Sequence, residues 1–186
     1  MGTGSLYPSQ GIHLLRMGIG RKAVYGTFSD YLQAHTPTHI LNIGLAGALT
    51  DSLGTGELIA VSVVGRENAA IEYELPIFPG AENLRRGAVV TVSEAVLCQG
   101  RRETLYQNYG KELVDMELFH LAAIAREKAI PVCSIKIVSD QADEQAAKEF
   151  IKNYRALGET LGRYIFERLN LTSPGKTNPS NPQQTT

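Results

Sequence analysis

Short apolar runs alternate along this chain with stretches whose apolar residues recur at helical spacing. The runs at residues 13–17 (HLLRM), 38–43 (THILNI), 57–64 (ELIAVSVV), 88–93 (AVVTVS), 112–115 (ELVD) and 132–138 (VCSIKIV) predict strands. Helices are predicted over residues 20–34, 99–108, 116–129 and 145–169, the third from the spacing of Leu118, Leu121, Ala122 and Ala125. Residues 45–49 read as a turn away from the second strand, and residues 69–78 as an extended excursion. Such alternation predicts an α/β fold whose largely parallel, twisted sheet is covered on both faces. Residues 1–169 form one domain on this reading. Residues 170–186 (NLTSPGKTNPSNPQQTT) hold three of the eight prolines and almost nothing apolar, so they are predicted to be a disordered tail.

Ligands of such sheets bind beyond the carboxyl ends of the strands, which directs attention to five exits. Gly18-Ile19-Gly20-Arg21-Lys22-Ala23 fits G-x-G-x-x-A, the dinucleotide fingerprint, but the second strand ends in Asn42-Ile43-Gly44 without an acid for a ribose. A tight strand–helix turn lining another pocket is the preferred reading. Gly44-Leu45-Ala46-Gly47 is either a crowded crossover or backbone lying close to a flat ligand. At Val114-Asp115-Met116-Glu117 a strand runs straight into a helix. Glu117 is expected in the first turn, where the helix dipole favours its ionised form. It either serves that helix alone or accepts two neighbouring sugar hydroxyls. Ser139-Asp140-Gln141-Ala142-Asp143 closes the most apolar strand. Asp143 is a candidate cap for the last helix. Asp140, sheltered at the strand's lip, is a candidate proton donor to a leaving group. The loop from Glu94 to Leu97 is the remaining exit.

Composition narrows the partners. Lys and Arg total 18 against 19 Asp and Glu, a net charge of −1. That balance gives no electrostatic reason to expect nucleic acid or a membrane surface. Cys98 and Cys133 lack metal-like spacing and read as reduced thiols. None of the four histidines, His13, His35, His39 and His120, belongs to a metal-binding pattern, so no metal is expected. Residues 1–10 lack the apolar core of a signal peptide, and no run is long enough to span a bilayer. A cytoplasmic protein is expected.

Taken together, RMGIGRKA, ILNIGLAGAL, LGTGELIAVS, LVDMELFHLAAIAREKAIPV and IKIVSDQAD resemble the purine nucleoside phosphorylase and nucleosidase superfamily. The resemblance runs from about Leu14 to Leu169 and leans toward the methylthioadenosine/S-adenosylhomocysteine nucleosidase branch. The ordered pair VDME and SDxAD is its specific part. It implies a three-layer α/β/α sandwich around a mixed, mostly parallel sheet, and a homodimer. It further implies that Asp140 is the acid assisting the purine at N7, oriented by Ser139. Glu117 would bind the ribose 2′- and 3′-hydroxyls with Met116 packing on the sugar. Val96 and Leu97 would read the base through their backbone, Phe150 would stack on it, and Ile19, Ala46 and Gly47 would line the pocket.

The chain also departs from the family's pattern. The family's first strand and the acidic run that activates water have no counterpart in residues 1–10. Leu45 stands where Ser or Thr is common, and Lys136 where Arg is typical. The expected activity is hydrolysis of the N-glycosidic bond of a purine-type nucleoside, with no cofactor. Glu94 is the best base within the chain. Alternatives are a phosphate-dependent phosphorylase, for which Arg21 is the nearest cation, and a nucleoside-binding protein of the same fold.

Overall fold

The structure, a computed structural model, describes residues 4–7 and 11–171. Of the predicted tail, residues 172–186 lie outside the described residues. The central sheet has the order β5-β4-β6-β7-β3-β8, and β4 also pairs with β8. Its strands are β3 (Ile40–Ala48), β4 (Leu58–Arg66), β5 (Glu72–Glu74), β6 (Arg85–Thr91), β7 (Leu113–Asp115) and β8 (Val132–Asp140). The β4–β8 pairing closes five of them into a ring, with β5 as an extra strand on β4. Closure removes the edges that an open sheet would leave unpaired.

The sheet is more mixed than the alternation predicts. Three pairings are parallel (β3–β8, β4–β6, β6–β7) and three antiparallel (β3–β7, β4–β5, β4–β8). A helix, α2 (Gln99–Tyr109), joins the parallel pair β6–β7, whereas β4 reaches β6 through β5 without one. The antiparallel ones come from ring closure and from β5, which forms inside the predicted excursion.

Two other expectations are corrected. The 13–17 strand shrinks to β2 (Ile12–Leu14), which pairs with β1 (Gly4–Tyr7) as a separate two-stranded sheet. It is tied to α1 by the Tyr31 hydroxyl and His13 Nδ1, 3.0 Å apart. The small-residue segment 44–47 is not a turn. It lies inside β3, which pairs with β8 as far as Gly47 and with β7 at Gly47 and Ala48.

Helices flank the ring on two sides. α3 (Leu118–Glu127) packs on β4, β5 and β6, and α1 (Gly20–Ala34) packs on α3. On the other side α4 (Ala146–Arg168) covers β8 and β3, using Leu161 and Ile165 against Ile135 and Ile137. α2 (Gln99–Tyr109) buries only Arg102 and Leu105. β8 is buried along almost its whole length, the signature of a strand with neighbours on both edges and helices on its faces. No helix among the described residues is long and apolar enough to cross a membrane.

Packing inside the ring is tight where β4 meets β6. A Cβ on Gly87 would lie 2.7 Å from Ile59 Cγ2, a side chain that is itself fully buried. Gly87→Ala should therefore destabilise the fold by about 1–3 kcal/mol through overpacking. Denaturant unfolding checks this, and an unchanged midpoint would mean that the strand pair yields freely.

Candidate active site

β7 leads directly into α3, and the start of that helix has exposed backbone donors that need acceptors. Two side chains serve them. Asp115 Oδ2 accepts the Leu118 N–H at 3.0 Å, and Thr91 Oγ1 accepts the Phe119 N–H at 3.0 Å. The Thr91 hydroxyl donates in turn to Asp115 Oδ1 at 2.6 Å, and Lys136 Nζ lies 2.8 Å from Asp115 Oδ2.

Because these groups cap the helix, Glu117 does not. It occupies the N-cap position rather than the first turn, and its side chain makes no bond to its own helix. Instead Oε1 accepts the backbone N–H of Gly20, the first residue of α1, at 2.6 Å. Glu117 is half-buried, and burial raises its carboxyl above the ordinary glutamate range. The Asp115 charge adds to the rise, while the Gly20 N–H and the Lys136 ammonium partly offset it. The helix dipole alone argues for the opposite shift, and desolvation outweighs it.

Gly20 has φ +80, and Met116 Cε sits 4.0 Å from where its Cβ would be. Gly18 lies against Ala23, at 3.0 Å from a would-be Cβ. The glycines of the G-x-G-x-x-A segment thus have local duties in a tight turn, in keeping with the reading that set a dinucleotide aside.

Asp140 ends β8. The β3–β8 register steps from Ala46↔Val138 to Gly47↔Asp140, so Ser139 is an extra residue in β8. A bulge of this kind re-aims the following side chain. The Ser139 hydroxyl, 2.6 Å from Asp140 Oδ2, donates to it and also lies 3.2 Å from the Ala46 carbonyl. The Ala142 N–H donates to Asp140 Oδ1 at 2.9 Å. Ala142 holds φ +52, a left-handed conformation uncommon for alanine, which folds the loop back over the carboxylate. Each Asp140 oxygen keeps a second lone pair for a ligand.

The remaining expected residues fall into two groups. Val96 is buried with Val114 and Ala142 in one apolar cluster, with Met116 packed against it. This cluster links the Glu117 and Asp140 sides. Ala46 and Gly47 are buried in β3, next to Asp140. Ile19, Leu97 and Phe150 are exposed apolar side chains, at 76%, 50% and 39%. Phe150 stacks on Tyr154 with ring centroids 5.9 Å apart, outside the hydrogen-bonded cluster. Glu94 is exposed on the loop after β6, and Arg21 lies over the Tyr25 ring at 5.2 Å. Asp143 Oδ1 accepts the Gln145 N–H at 2.8 Å, just ahead of α4. Among the described residues, no group of three or more His, Cys, Asp and Glu side chains could hold a metal ion.

Sequence reasoning missed the buried pair of Asp115 and Lys136, and Arg102. The Arg102 guanidinium donates to the Ala48 carbonyl, Asp51 and Gln99, and reaches Gln141 at 3.4 Å, so it ties α2 to the segments on either side of Asp140. A signal for Lys136 was present: a lysine amid the apolar residues of VCSIKIV requires a buried partner.

Comparison with known proteins bears on the family and the fold. The sequence profile of the phosphorylase superfamily matches residues 67–169. The 5′-methylthioadenosine/S-adenosylhomocysteine nucleosidase of Shewanella piezotolerans is 23% identical over 168 residues, covering 76% of this chain and 73% of that protein. The aminodeoxyfutalosine nucleosidase of Helicobacter pylori is 20% identical over 185 residues, covering 86% of this chain and 80% of the other. Among solved structures, the H. pylori 5′-methylthioadenosine/S-adenosylhomocysteine nucleosidase bound to butyl-thio-DADMe-Immucillin-A superposes with a TM-score of 0.77 at 20% identity, over 86% of this chain and 79% of that one. The futalosine hydrolase of the same organism gives 0.74 at 19% identity, over 83% and 77%. The chain belongs to the phosphorylase superfamily, and its similarities lie with that superfamily's nucleosidase branch.

Proposed function

We propose that this protein hydrolyses the N-glycosidic bond of a purine-type nucleoside, releasing free base and sugar. The observation that carries the reading is the pair of carboxylates at the ends of β7 and β8, the two strands that flank β3, each oriented by other groups. Asp140 is held by a hydroxyl and a backbone N–H, and Glu117 by the first N–H of α1. Relatives named as nucleosidases for methylthioadenosine, adenosylhomocysteine and aminodeoxyfutalosine support it.

In this mechanism the departing purine becomes electron-rich while the sugar gains oxocarbenium character. Asp140 hands a proton to the base at N7. Glu117 accepts hydrogen bonds from the ribose hydroxyls and stabilises the developing positive charge. Met116 packs on the sugar, Val96 and Leu97 meet the base, Phe150 stacks on it, and Ile19, Ala46 and Gly47 complete the wall. Glu94 is the proposed base for water. The reading extends to a cytoplasmic homodimer. Two free cysteines, Cys98 and Cys133, support a reducing compartment, and resemblance supports the dimer.

Incubation with a panel of purine nucleosides, with and without phosphate, tests the reading. Free base and free sugar should appear at the same rate in both. Sugar 1-phosphate formed only with phosphate would replace hydrolysis by phosphorolysis, and no product from any nucleoside would leave a binding protein.

Asp140→Asn should fold normally and lower turnover by roughly 10² or more, since an amide has no acidic proton for the base. Unchanged turnover would remove Asp140 from the chemistry.

Glu117→Gln should weaken ribosides far more than free base, because only the sugar loses a charge-assisted acceptor. The raised Glu117 carboxyl gives this a pH signature. The ionised form binds the sugar, so riboside affinity should fall as pH drops through the Glu117 titration. That loss should begin above the range of an ordinary glutamate, about 4.3. Calorimetric titrations across pH read this directly. The Gln variant should lack the inflection.

A further inference from the structure

Lys136 stands in the middle of β8 with apolar neighbours on both sides in sequence, and its side chain is 2% exposed. A buried ammonium requires a partner of opposite charge. Asp115, 1% exposed, is that partner, at 2.8 Å. The strand pairing makes room for the contact: Lys136 is in register with Gly44 of β3, and a Cβ there would come within 3.4 Å of Nζ.

Both oxygens of Asp115 are engaged. One oxygen takes the Thr91 hydroxyl, and the other takes the Leu118 N–H and the Lys136 ammonium. Two residues on stands Glu117. Its surroundings are the Gly20 N–H from α1, the Asp115 carboxylate from β7 and the Lys136 ammonium from β8. The two charges act on it in opposite senses.

We propose that Lys136 is a positioning residue for the sugar: through Asp115 it fixes the start of α3, and its ammonium balances the second carboxylate beside Glu117. The inference rests on the reading of Glu117 as the ribose-binding acid. Capping alone does not explain the lysine. An uncharged pair filling the same space holds a fold equally well or better, and Thr91 already serves the next N–H of the helix. What an uncharged pair lacks is a countercharge next to Glu117.

The test measures binding of 5′-methylthioadenosine and of adenine across pH, with Asp140→Asn as the parent so that the riboside stays intact. Lys136→Met should weaken 5′-methylthioadenosine about tenfold or more at neutral pH, with little effect on adenine. It should move the pH at which riboside affinity falls upward by about one unit or more, because Asp115 then acts on Glu117 unopposed. Asp115→Asn should move the same inflection downward. Lys136→Arg should leave it in place, and the combined Lys136→Met, Asp115→Asn variant should return it near the parent's. A merely structural lysine predicts otherwise: riboside and base would weaken together, with the inflection unmoved in every folded variant, and that result overturns the proposal. If Lys136→Met does not fold, Asp115→Asn and the uncharged double variant decide by the same criterion. A folded parent that binds adenine but not 5′-methylthioadenosine would refute the sugar-site reading itself, which an unmoved inflection would not do.

Discussion

β3 and β8 run side by side from Ile40↔Val132 to Gly47↔Asp140, and at the last step β8 carries one residue more than its partner. The geometry of the site follows from that seam. The extra residue, Ser139, orients Asp140, and Gly47 must lack a side chain because a Cβ would sit 3.0 Å from Asp140 Oδ1. Three positions further back the relation repeats, with Gly44 facing Lys136. Each of these two glycines in β3 therefore admits a charged side chain from β8. Glycine weakens a strand interior, and at Gly47 the cost is accepted because a side chain would crowd Asp140.

This explains why the glycine segment was misread. Glycine is depleted in strands, so a pattern of Gly44, Leu45, Ala46 and Gly47 ends a predicted strand at residue 43 and suggests a turn. The cause of the small residues lies 93 positions away, on another strand, where periodicity cannot reach. The close approach inferred there was sound, but what approaches is the protein's own chain. The mixed sheet, which the resemblance implies, is invisible to the alternation alone for a similar reason. Helical connections between strands imply parallel neighbours, whereas the β4–β8 pairing arises from closing a ring and leaves no local trace. By contrast, α1, α2 and α4 were legible almost to the residue, since their apolar spacing and flanking loops are local properties.

The chemistry was legible where it coincided with strand ends. Residues 114–117 and 139–143 stood out because a strand met a helix or loop there, and those segments carry the two carboxylates that the fold shelters. The direction of the Glu117 shift was not legible. A dipole argument considers only the helix that the residue begins, whereas the deciding terms are burial and Asp115, both products of how β7 enters α3.

Three carboxylates, Asp115, Glu117 and Asp140, crowd this end of the sheet, and their partners assign them different work. Asp115 is met by an ammonium, a hydroxyl and a helix N–H, and its side chain is buried, so it presents little to a ligand. Asp140 is met by one hydroxyl and one N–H, neither of them charged, so its orientation is fixed while a lone pair on each oxygen stays open. Glu117 accepts the Gly20 N–H, has a further backbone hydrogen bond at Met116, and shares its surroundings with the Asp115–Lys136 pair. It is only half-buried, and burial raises its carboxyl, so new hydrogen-bond donors favour its ionised form. A ribose diol provides two donors at adjacent carbons, which a carboxylate can accept through both oxygens. On the proposed reading the partners divide the work: the acid paired with a cation is scaffold, the acid oriented by neutral donors exchanges a proton, and the half-buried acid beside the ion pair receives the sugar.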